Sequence, residues 1–344
     1  MKKAAFYDPY LDTGGGGERY VLTFARALIK NGWKVDFQWK DKKTLPWLEE
    51  RLGMDLSGIN IVDNVSRGAG YDLIFWISDG SIPLLLAKKN ILHFQTPFKD
   101  VGGKSIFNKL KLLRVNNIIC NSQYTKSFID KEFAVNSTVL YPPVSLSKNT
   151  TKVEKEKIII YVGRYSRLQQ AKGQEILIEV FKDMCKKGLK NWRLVLIGGS
   201  SVGAGDIVPN LKKTAQGYPI DVLENLPYKE VIKFYEKASL YWSASGYGID
   251  EQSEPARVEH FGITVVEAMT HGAVPVIVKK GGHEEIVANG QDGLIWENTE
   301  ELITKTQELI IDERRLKQIA NKAREKAKKF SEEEFEKNLF RYIK

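Results

Sequence analysis

Short apolar runs that alternate with amphipathic segments constrain the fold of this chain more than any other feature of its sequence. In the first half, residues 73–78 and 91–95 form such runs, and residues 194–197 and 274–278 repeat the pattern in the second half. Strands that are apolar throughout, with helical segments between them, are typical of a parallel sheet covered on both faces. The sequence therefore predicts an α/β fold.

A break in this pattern divides the chain near its middle. Tyr141, Pro142 and Pro143 precede the polar run SLSKNTTKVEKEK, and two prolines stop any regular element. The 344 residues suit two domains of roughly 150 residues each. We expect two doubly wound, Rossmann-like domains that face each other across a cleft: an N-terminal domain (1–144), a linker (145–156), a C-terminal domain (157–327) and a C-terminal helix (328–344) that can pack back on the first domain.

Composition narrows the class of protein. With 42% hydrophobic and 28% charged residues the chain is balanced like a globular protein, and no apolar run reaches the roughly 18 residues that cross a bilayer. The first ten residues lack the apolar stretch of a signal peptide. Two cysteines, Cys120 and Cys185, are too few for a disulfide scaffold or a four-ligand zinc site. We therefore expect a cytoplasmic protein.

Four consecutive glycines, residues 14–17, lie between the first strand and its helix. Bare backbone N–H groups at a helix N-terminus can bind an anion, although a plain flexible turn explains the glycines equally well. The loop is not a dinucleotide fingerprint, because Arg19 stands where that motif needs its third glycine.

A second candidate anion site follows the strand over residues 158–162. Gly163 and Arg164 come directly after that strand, and Lys172 and Gly173 open the next helix. An arginine and a lysine at such a corner can converge on one diphosphate, and two ordinary surface charges are the alternative interpretation. The chain has no D-x-D pair and no metal-ligand spacing, so we expect these cations, rather than a metal ion, to neutralise the diphosphate.

The segment over residues 259–269 carries two glutamates eight positions apart. Glu259 precedes a turn at Gly262, and Glu267 lies about one turn inside the helix that follows. The backbone N–H groups near Phe261, Gly262 and Ile263 would then form a helix N-terminus suited to phosphate. Glu267 has apolar neighbours on both sides, and a buried glutamate needs hydrogen-bonding partners.

Taken together, these motifs resemble the retaining GT-B glycosyltransferases of family 4, which include the α-mannosyltransferases of lipid-linked oligosaccharide and polysaccharide assembly. The resemblance extends over nearly the whole chain. It is carried by residues 14–18, Asn121 with Ser122, residues 141–143, Gly163 with Arg164, Lys172 with Gly173, Glu259 with Glu267, Pro275, and Gly281 with Gly282.

The resemblance implies a role for each matching residue. Arg164 and Lys172 would hold the donor diphosphate, Glu259 the donor sugar and Glu267 the ribose. His93, at the end of a predicted strand, would be a catalytic residue against the donor sugar. Backbone contacts to the donor would come from Gly15, Gly16, Gly163, Phe261, Gly262 and Ile263.

The same resemblance implies the reaction. We expect a hexose, first of all mannose from GDP-mannose, to move with retention from a nucleotide sugar to a hydroxyl of a glycan that can be lipid-linked. A UDP-hexose donor is the alternative, followed by a nucleotide-sugar epimerase or a phosphorylase on the same fold. We expect neither a cofactor nor a metal. Binding of nucleic acid is disfavoured despite a pI near 9.2, because aromatic residues do not interleave with the basic ones.

Positive charge is concentrated in the first half of the chain. Residues 101–131 contain six basic residues and only Asp130 as an acidic one. Apolar residues interleave there with Lys104, Lys109, Lys111 and Arg114, as in a basic amphipathic helix. Such a helix predicts peripheral contact with anionic membrane or with the acceptor. Alternatively, its apolar side packs on the sheet.

Overall fold

The computed structural model describes residues 1–147, 153–166, 170–200 and 205–343. The chain divides into two compact units, unit 1 (Met1–Pro143 and Glu332–Lys344) and unit 2 (Val144–Ser331). Residues 148–152 of the expected linker lie outside the described residues. None of the described helices combines the length and the apolar character needed to cross a membrane.

Unit 1 is built on a parallel sheet with the strand order β3-β2-β1-β4-β5-β6-β7. After β1 the chain moves outward to β2 and β3 and then returns to the other side of β1 as β4, so that the order reverses between β1 and β4. Its elements are β1 (Lys3–Tyr7), α1 (Gly16–Lys30), β2 (Lys34–Gln38), α2 (Thr44–Leu52), β3 (Ile59–Val62), β4 (Leu73–Ile77), β5 (Lys89–Phe94), α3 (Ile106–Leu112), β6 (Asn117–Cys120), α4 (Gln123–Phe133) and β7 (Thr138–Val139).

Unit 2 repeats this plan with the strand order β10-β9-β8-β11-β12-β13, all pairs being parallel. Here the order reverses between β8 and β11. Its elements are β8 (Glu156–Val162), α5 (Gln174–Lys186), β9 (Arg193–Gly198), α6 (Ile207–Ala215), β10 (Ile220–Glu224), α7 (Tyr228–Lys237), β11 (Ala238–Ser243), α8 (Ile263–Thr270), β12 (Val274–Val278), α9 (His283–Ile286), β13 (Leu294–Trp296), α10 (Thr299–Ile311) and α11 (Glu313–Ala327).

The last helix, α12 (Glu332–Ile343), belongs to unit 1. Phe335 is buried and meets the Tyr20 ring edge to face, with 5.0 Å between ring centroids. Leu339 is fully buried in the same core, and Lys30 pairs with Glu336 at the rim. Burying two large side chains provides the free energy that holds this short helix on α1.

Each sheet has a core on its helix-covered faces, as its sequence requires. Phe6 of β1 packs against Phe24 of α1, Phe37 of β2 and Phe75 of β4, and all four rings are fully buried. In unit 2, Trp242 of β11 is likewise fully buried and forms part of the core. The expected α/β class with two parallel, Rossmann-like sheets is confirmed.

Candidate functional site

The reversal of strand order in unit 2 places two loops side by side at the carboxyl ends of β8 and β11. Open parallel sheets bind their ligands at such a point. Gly163 and Arg164 follow β8, and the Gly163 N–H donates to the Ile197 carbonyl of β9 (3.0 Å). The Arg164 carbonyl accepts from Gln174 Nε2 of α5 (3.0 Å). The Arg164 backbone is therefore fixed on both sides, while its side chain is half-buried.

Backbone hydrogen bonds also fix the loop that carries Lys172. The Ala171 N–H donates to the Arg257 carbonyl (2.8 Å), and the Ala171 carbonyl accepts from the Gly246 N–H (2.7 Å). Gly173 has a φ of +68°, and a Cβ there would lie 2.7 Å from the Ala244 carbonyl oxygen. Glycine is required at this corner, and Lys172 is consequently held close to the end of β11.

Lys172 and Glu259 form an ion pair, with 2.8 Å between Nζ and Oε2. The two side chains are only 12% and 15% exposed. Burial is the largest single influence and raises the pKa of the Glu259 carboxyl, but the charge and the hydrogen bond of Lys172, together with His283 and His260, lower the pKa to about 2. Glu259 is therefore ionised at neutral pH.

Two glycines fix the backbone beneath Glu259. The Gly282 N–H donates to the Glu259 carbonyl (2.8 Å). A Cβ at Gly281 would overlap the same carbonyl oxygen, and one at Gly282 would overlap the carbonyl of His260. This close approach explains why the Gly281 and Gly282 pair accompanies Glu259 in the sequence.

Helix α8 begins four residues after Glu259. Gly262 is its N-cap with a φ of +112°, and Phe261 before it is buried. Ile263 and Thr264 form the first turn, whose N–H groups have no carbonyl one turn earlier to bind. The Thr264 hydroxyl is hydrogen-bonded to Tyr241 Oη at 2.8 Å. The positive end of this helix thus lies next to Glu259 in the chain, as an anion site requires.

Among the described residues, no carboxylate forms an ion pair with Arg164. Lys172 has Glu259 as a partner, but its ammonium carries three donors and that bond uses one. The described residues of the β8–α5 connection therefore include one guanidinium, that of Arg164, and part of one ammonium, that of Lys172, available to a ligand. In the same described ranges, no group of three or more His, Cys, Asp or Glu residues is arranged to hold a metal ion.

Glu267 is buried and hydrogen-bonded to two tyrosines of α7. Tyr228 Oη donates to its Oε1 (3.1 Å), and Tyr235 Oη donates to its Oε2 (3.2 Å). The expectation that a buried Glu267 needs partners is met here by hydroxyls from the same unit. A ribose hydroxyl at this carboxylate would join or replace these bonds.

His93 lies in the core of unit 1, within β5 and with no exposed surface. Its ring stacks on Tyr20 at 4.3 Å between centroids, and Nδ1 is hydrogen-bonded to the Ile119 carbonyl (3.0 Å). Burial lowers the pKa of His93 to about 3. The imidazole therefore contacts packed side chains, and the expected contact of His93 with a donor sugar stays a prediction.

The glycine loop of unit 1 is lined by carboxylates. Gly15 is the N-cap residue of α1. Its N–H donates to Glu18 Oε2, and the Thr13 hydroxyl donates to the same oxygen. Asp8 is buried beside it, and burial together with the Glu18 charge raises the pKa of Asp8 well above its usual range. One of the N–H groups expected to meet an anion therefore already has a partner, and the nearby carboxylates disfavour phosphate at this end of the loop. Donor contacts from Gly15 and Gly16 stay a prediction.

The basic segment of unit 1 forms a helix with its apolar side exposed. Lys104, Lys109 and Arg114 are exposed and Lys111 is half-buried. No residue of α3 is buried. Leu112 is partly buried against the core that contains Leu92 and Phe94 of β5, so the alternative that the apolar side packs on the sheet holds for Leu112 alone, whereas the other apolar side chains of the segment are exposed.

Sequence reasoning missed two residues that support the Glu259 region. His283 is fully buried next to the turn, with Nδ1 hydrogen-bonded to the Val278 carbonyl (2.8 Å). The Glu251 carboxylate accepts a hydrogen bond from the Gly281 N–H (2.8 Å), which connects the loop that carries Glu251 to the pair Gly281 and Gly282. Neither residue has a distinctive spacing, and only the presence of His283 directly after two glycines was a signal.

Comparison with curated proteins finds relatives that extend over most of the chain. An uncharacterized glycosyltransferase of Haemophilus influenzae is 26% identical over 355 residues, 94% of this chain and 95% of that protein. The GDP-Man:Man(3)GlcNAc(2)-PP-Dol alpha-1,2-mannosyltransferase of Dictyostelium discoideum is 25% identical over 263 residues, 73% of this chain and 49% of that protein.

Solved structures share the fold at low identity. Anabaena Alr3699/HepE, in complex with UDP and glucose, superposes with a TM-score of 0.74 at 19% identity, and the match covers 99% of both chains. The sucrose-phosphate synthase of Thermosynechococcus elongatus gives 0.70 at 17%, covering 99% of this chain and 98% of that one. The expected GT-B class is confirmed by these structures.

The family described as glycosyl transferases group 1 matches residues 145–326, more than half of the sequence. This match contains the Lys172 and Glu259 pair and the N-terminus of α8. The chain therefore belongs to the glycosyl transferases group 1 family.

Proposed function

We propose that this glycosyltransferase is a retaining family 4 enzyme that transfers a hexose from a nucleoside-diphosphate sugar to a glycan hydroxyl without a metal ion. The observation that carries the proposal is the buried pair of Lys172 and Glu259, in which Glu259 lies three residues before Gly262, the N-cap of α8. This arrangement supplies cations and backbone N–H groups for a diphosphate and a carboxylate for sugar hydroxyls.

In this proposal Arg164 and Lys172 stabilise the leaving group. The bond between the sugar anomeric carbon and the diphosphate oxygen breaks, and negative charge develops on that oxygen. Arg164 offers a planar fork of donors, and Lys172 offers a positioned point charge. Fixed donors of this kind stabilise a transition state because they need not reorganise as charge develops.

The acceptor hydroxyl then attacks the anomeric carbon from the face that the diphosphate leaves. The new bond joins that carbon to the acceptor oxygen, and the hydroxyl proton passes to the departing phosphate oxygen. No side chain acts as a nucleophile in this proposal. Catalysis then depends on positioning and on electrostatic stabilisation of the diphosphate.

Glu259 binds the donor sugar in the same scheme. Its Oε2 accepts from Lys172, and no residue in the described ranges donates to its Oε1. An ionised carboxylate with a vacant oxygen accepts hydrogen bonds from sugar hydroxyls. Glu267 binds the ribose in the proposal, with Tyr228 and Tyr235 orienting its two oxygens.

For the donor we propose GDP-mannose. The support is the similarity to proteins named as GDP-mannose-dependent alpha-1,2-mannosyltransferases from Dictyostelium discoideum and Xenopus laevis, at 25% and 26% identity. A UDP-hexose is the second candidate, and the similarity to Anabaena Alr3699/HepE with bound UDP and glucose favours it. The acceptor in our proposal is a glycan carried on a lipid, as the names of these mannosyltransferases suggest.

Calorimetric titration of the protein with GDP, UDP and ADP tests the site and identifies the base. We expect one of the three to bind with micromolar affinity, which corresponds to roughly 8 kcal/mol. Lys172→Ala should abolish that binding. Glu259→Gln is the matched control, because it removes the carboxylate charge from the same pair and leaves the cation for the diphosphate.

Measuring turnover distinguishes glycosyl transfer from the epimerase and phosphorylase activities named as alternatives. With an acceptor glycan, Lys172→Ala should lower kcat at least ~100-fold, a loss of ~2.7 kcal/mol in transition-state stabilisation. Free nucleoside diphosphate should appear only when an acceptor is present. Release without an acceptor, or epimerised donor as the product, would contradict glycosyl transfer, and near-normal turnover of the variant would contradict the diphosphate site.

A further inference from the structure

Helix α3 of unit 1 exposes an apolar side to solvent. Ile106, Phe107, Leu110 and Leu113 are 64%, 72%, 57% and 82% exposed. Their spacing places them on one face of the helix and its C-cap. Scattered single apolar residues on a surface need no explanation, but four large ones on one short helix do.

The backbone around this helix is firmly held. The Glu132 carboxylate of α4 accepts from the N–H groups of Asp100, Val101 and Gly103, at 3.0, 3.1 and 2.9 Å. The Ser105 side chain caps the first turn of α3. The apolar side is therefore displayed by a fixed loop and a capped helix.

Basic side chains surround the apolar side. Between residues 101 and 114 the sequence has four basic residues and no acidic one. Within the part of the chain that the structure describes, no carboxylate forms an ion pair with Lys109 or Lys111. Cations without a carboxylate partner remain available to an external anion.

We propose that this region docks unit 1 on the surface of an anionic lipid bilayer. We call it the α3 surface and define it by two sets of side chains, the apolar Ile106, Phe107, Leu110 and Leu113 and the basic Lys104, Lys109, Lys111 and Arg114. The apolar set would enter the boundary between headgroups and acyl chains, and the basic set would lie at the phosphates.

The charge pattern favours a bilayer over a second copy of this chain. A symmetric dimer uses the same patch on both subunits, so that its basic set would face an identical basic set. Like charges brought together in this way repel each other. An anionic headgroup layer, in contrast, complements the basic set while it accepts the apolar one.

Docking would bring unit 1 to the layer in which a lipid-linked acceptor is held, and that consequence rests on the proposed function. The docking itself does not, because it uses only residues of the α3 surface. Vesicle binding and nucleotide binding can therefore be measured separately.

Sedimentation with vesicles tests the proposal. We expect the protein to bind vesicles of phosphatidylcholine with 30% phosphatidylglycerol at low salt and to bind pure phosphatidylcholine at least ~10-fold more weakly. Raising the salt should weaken binding to the anionic vesicles, since their attraction for exposed charges is screened.

Two pairs of variants separate the apolar from the basic contribution. Phe107→Ser with Leu110→Ser should lower the partition coefficient at least ~10-fold, whereas Ile311→Ser, at a position 83% exposed in unit 2, should not change it. Lys109→Gln with Lys111→Gln should lower it roughly 5-fold for each charge removed. The matched control is Lys186→Gln with Lys190→Gln, which removes the same charge from exposed positions of unit 2.

Three outcomes would overturn the proposal. The first is no binding to anionic vesicles at low salt, and the second is an equal effect of the variants and their controls. The third is a dimer in solution that Phe107→Ser with Leu110→Ser dissociates, with no binding to vesicles. Lys172→Ala should bind vesicles like the unaltered protein, so that failure of the donor site and failure of docking remain distinguishable.

Discussion

Replacing Lys172 by methionine tests whether the ion pair with Glu259 controls the stability of unit 2. The pKa of Glu259 lies at about 2 against an ordinary value of 4.5. At 1.36 kcal/mol for each pKa unit, that difference corresponds to about 3 kcal/mol of folding free energy. Methionine keeps most of the side-chain volume and removes the charge together with the hydrogen bond that Lys172 donates to Glu259.

The sign of the pH dependence follows from the direction of the shift. A carboxyl whose pKa is lowered on folding stabilises the fold above pH 4.5, and that stabilisation is lost as the pH falls towards 2. Without Lys172, burial becomes the main influence on Glu259 and its pKa should rise above 4.5. The buried charge should then cost about 3–5 kcal/mol at pH 7. This loss should shrink at acidic pH, where the carboxyl can take up a proton.

Urea denaturation of the protein and the variant at pH 7 and pH 4 measures this difference. Lys233→Met is the matched control, since Lys233 and Glu230 form an exposed pair, 63% and 46% exposed, and should contribute less than about 1 kcal/mol. Lys172→Met combined with Glu259→Gln should recover most of the lost stability. Two results would refute the reasoning. One is that Lys172→Met lowers the free energy of unfolding at pH 7 no more than Lys233→Met does. The other is that the effect of Lys172→Met is no smaller at pH 4 than at pH 7.

Two further substitutions test the residues around the site. Gly262→Ala should destabilise the protein by about 1–3 kcal/mol and weaken diphosphate binding. The reason is that a φ of +112° is strained for alanine and that the new Cβ would lie 3.2 Å from Ile286 Cδ1. An unchanged melting temperature would contradict this prediction. His93→Phe should change kcat by no more than about 10-fold, which corresponds to a barrier change of about 1.4 kcal/mol. The reason is that the imidazole lies in the core with a pKa of about 3. A loss of ~100-fold or more in kcat would support the catalytic role that the family resemblance implies.

The strands that could be predicted from the sequence are those whose burial leaves a continuous apolar run. Residues 73–78 and 274–278 were predicted as strands and correspond to β4 and β12 within one residue. β3 was missed because it is an edge strand whose burial alternates, so that Asn60 interrupts its apolar residues. β13 was missed because three residues are too few to show any pattern.

The candidate site was predictable where its chemistry depends on neighbours in the chain. Arg164 and Lys172 follow one strand, and Glu259 precedes one helix, so motif spacing alone groups them into two segments. The contact between Lys172 and Glu259 spans 87 positions and could come only from the fold. The burial of His93 was equally hidden, because a histidine at a strand end looks the same in sequence whether its ring faces a ligand or the core.

The two units carry opposite charge in the loop that follows their central strand. After β1, the turn contains Asp8 and the capping Glu18, whose carboxylate already takes the Gly15 N–H. After β8, the corresponding connection contains Arg164 and Lys172. Carboxylates accept from sugar hydroxyls and repel phosphate, whereas guanidinium and ammonium groups bind phosphate. This difference supports the proposal that the diphosphate binds in unit 2, and it makes the carboxylate-lined loop of unit 1 better suited to an uncharged, hydroxyl-rich part of a substrate.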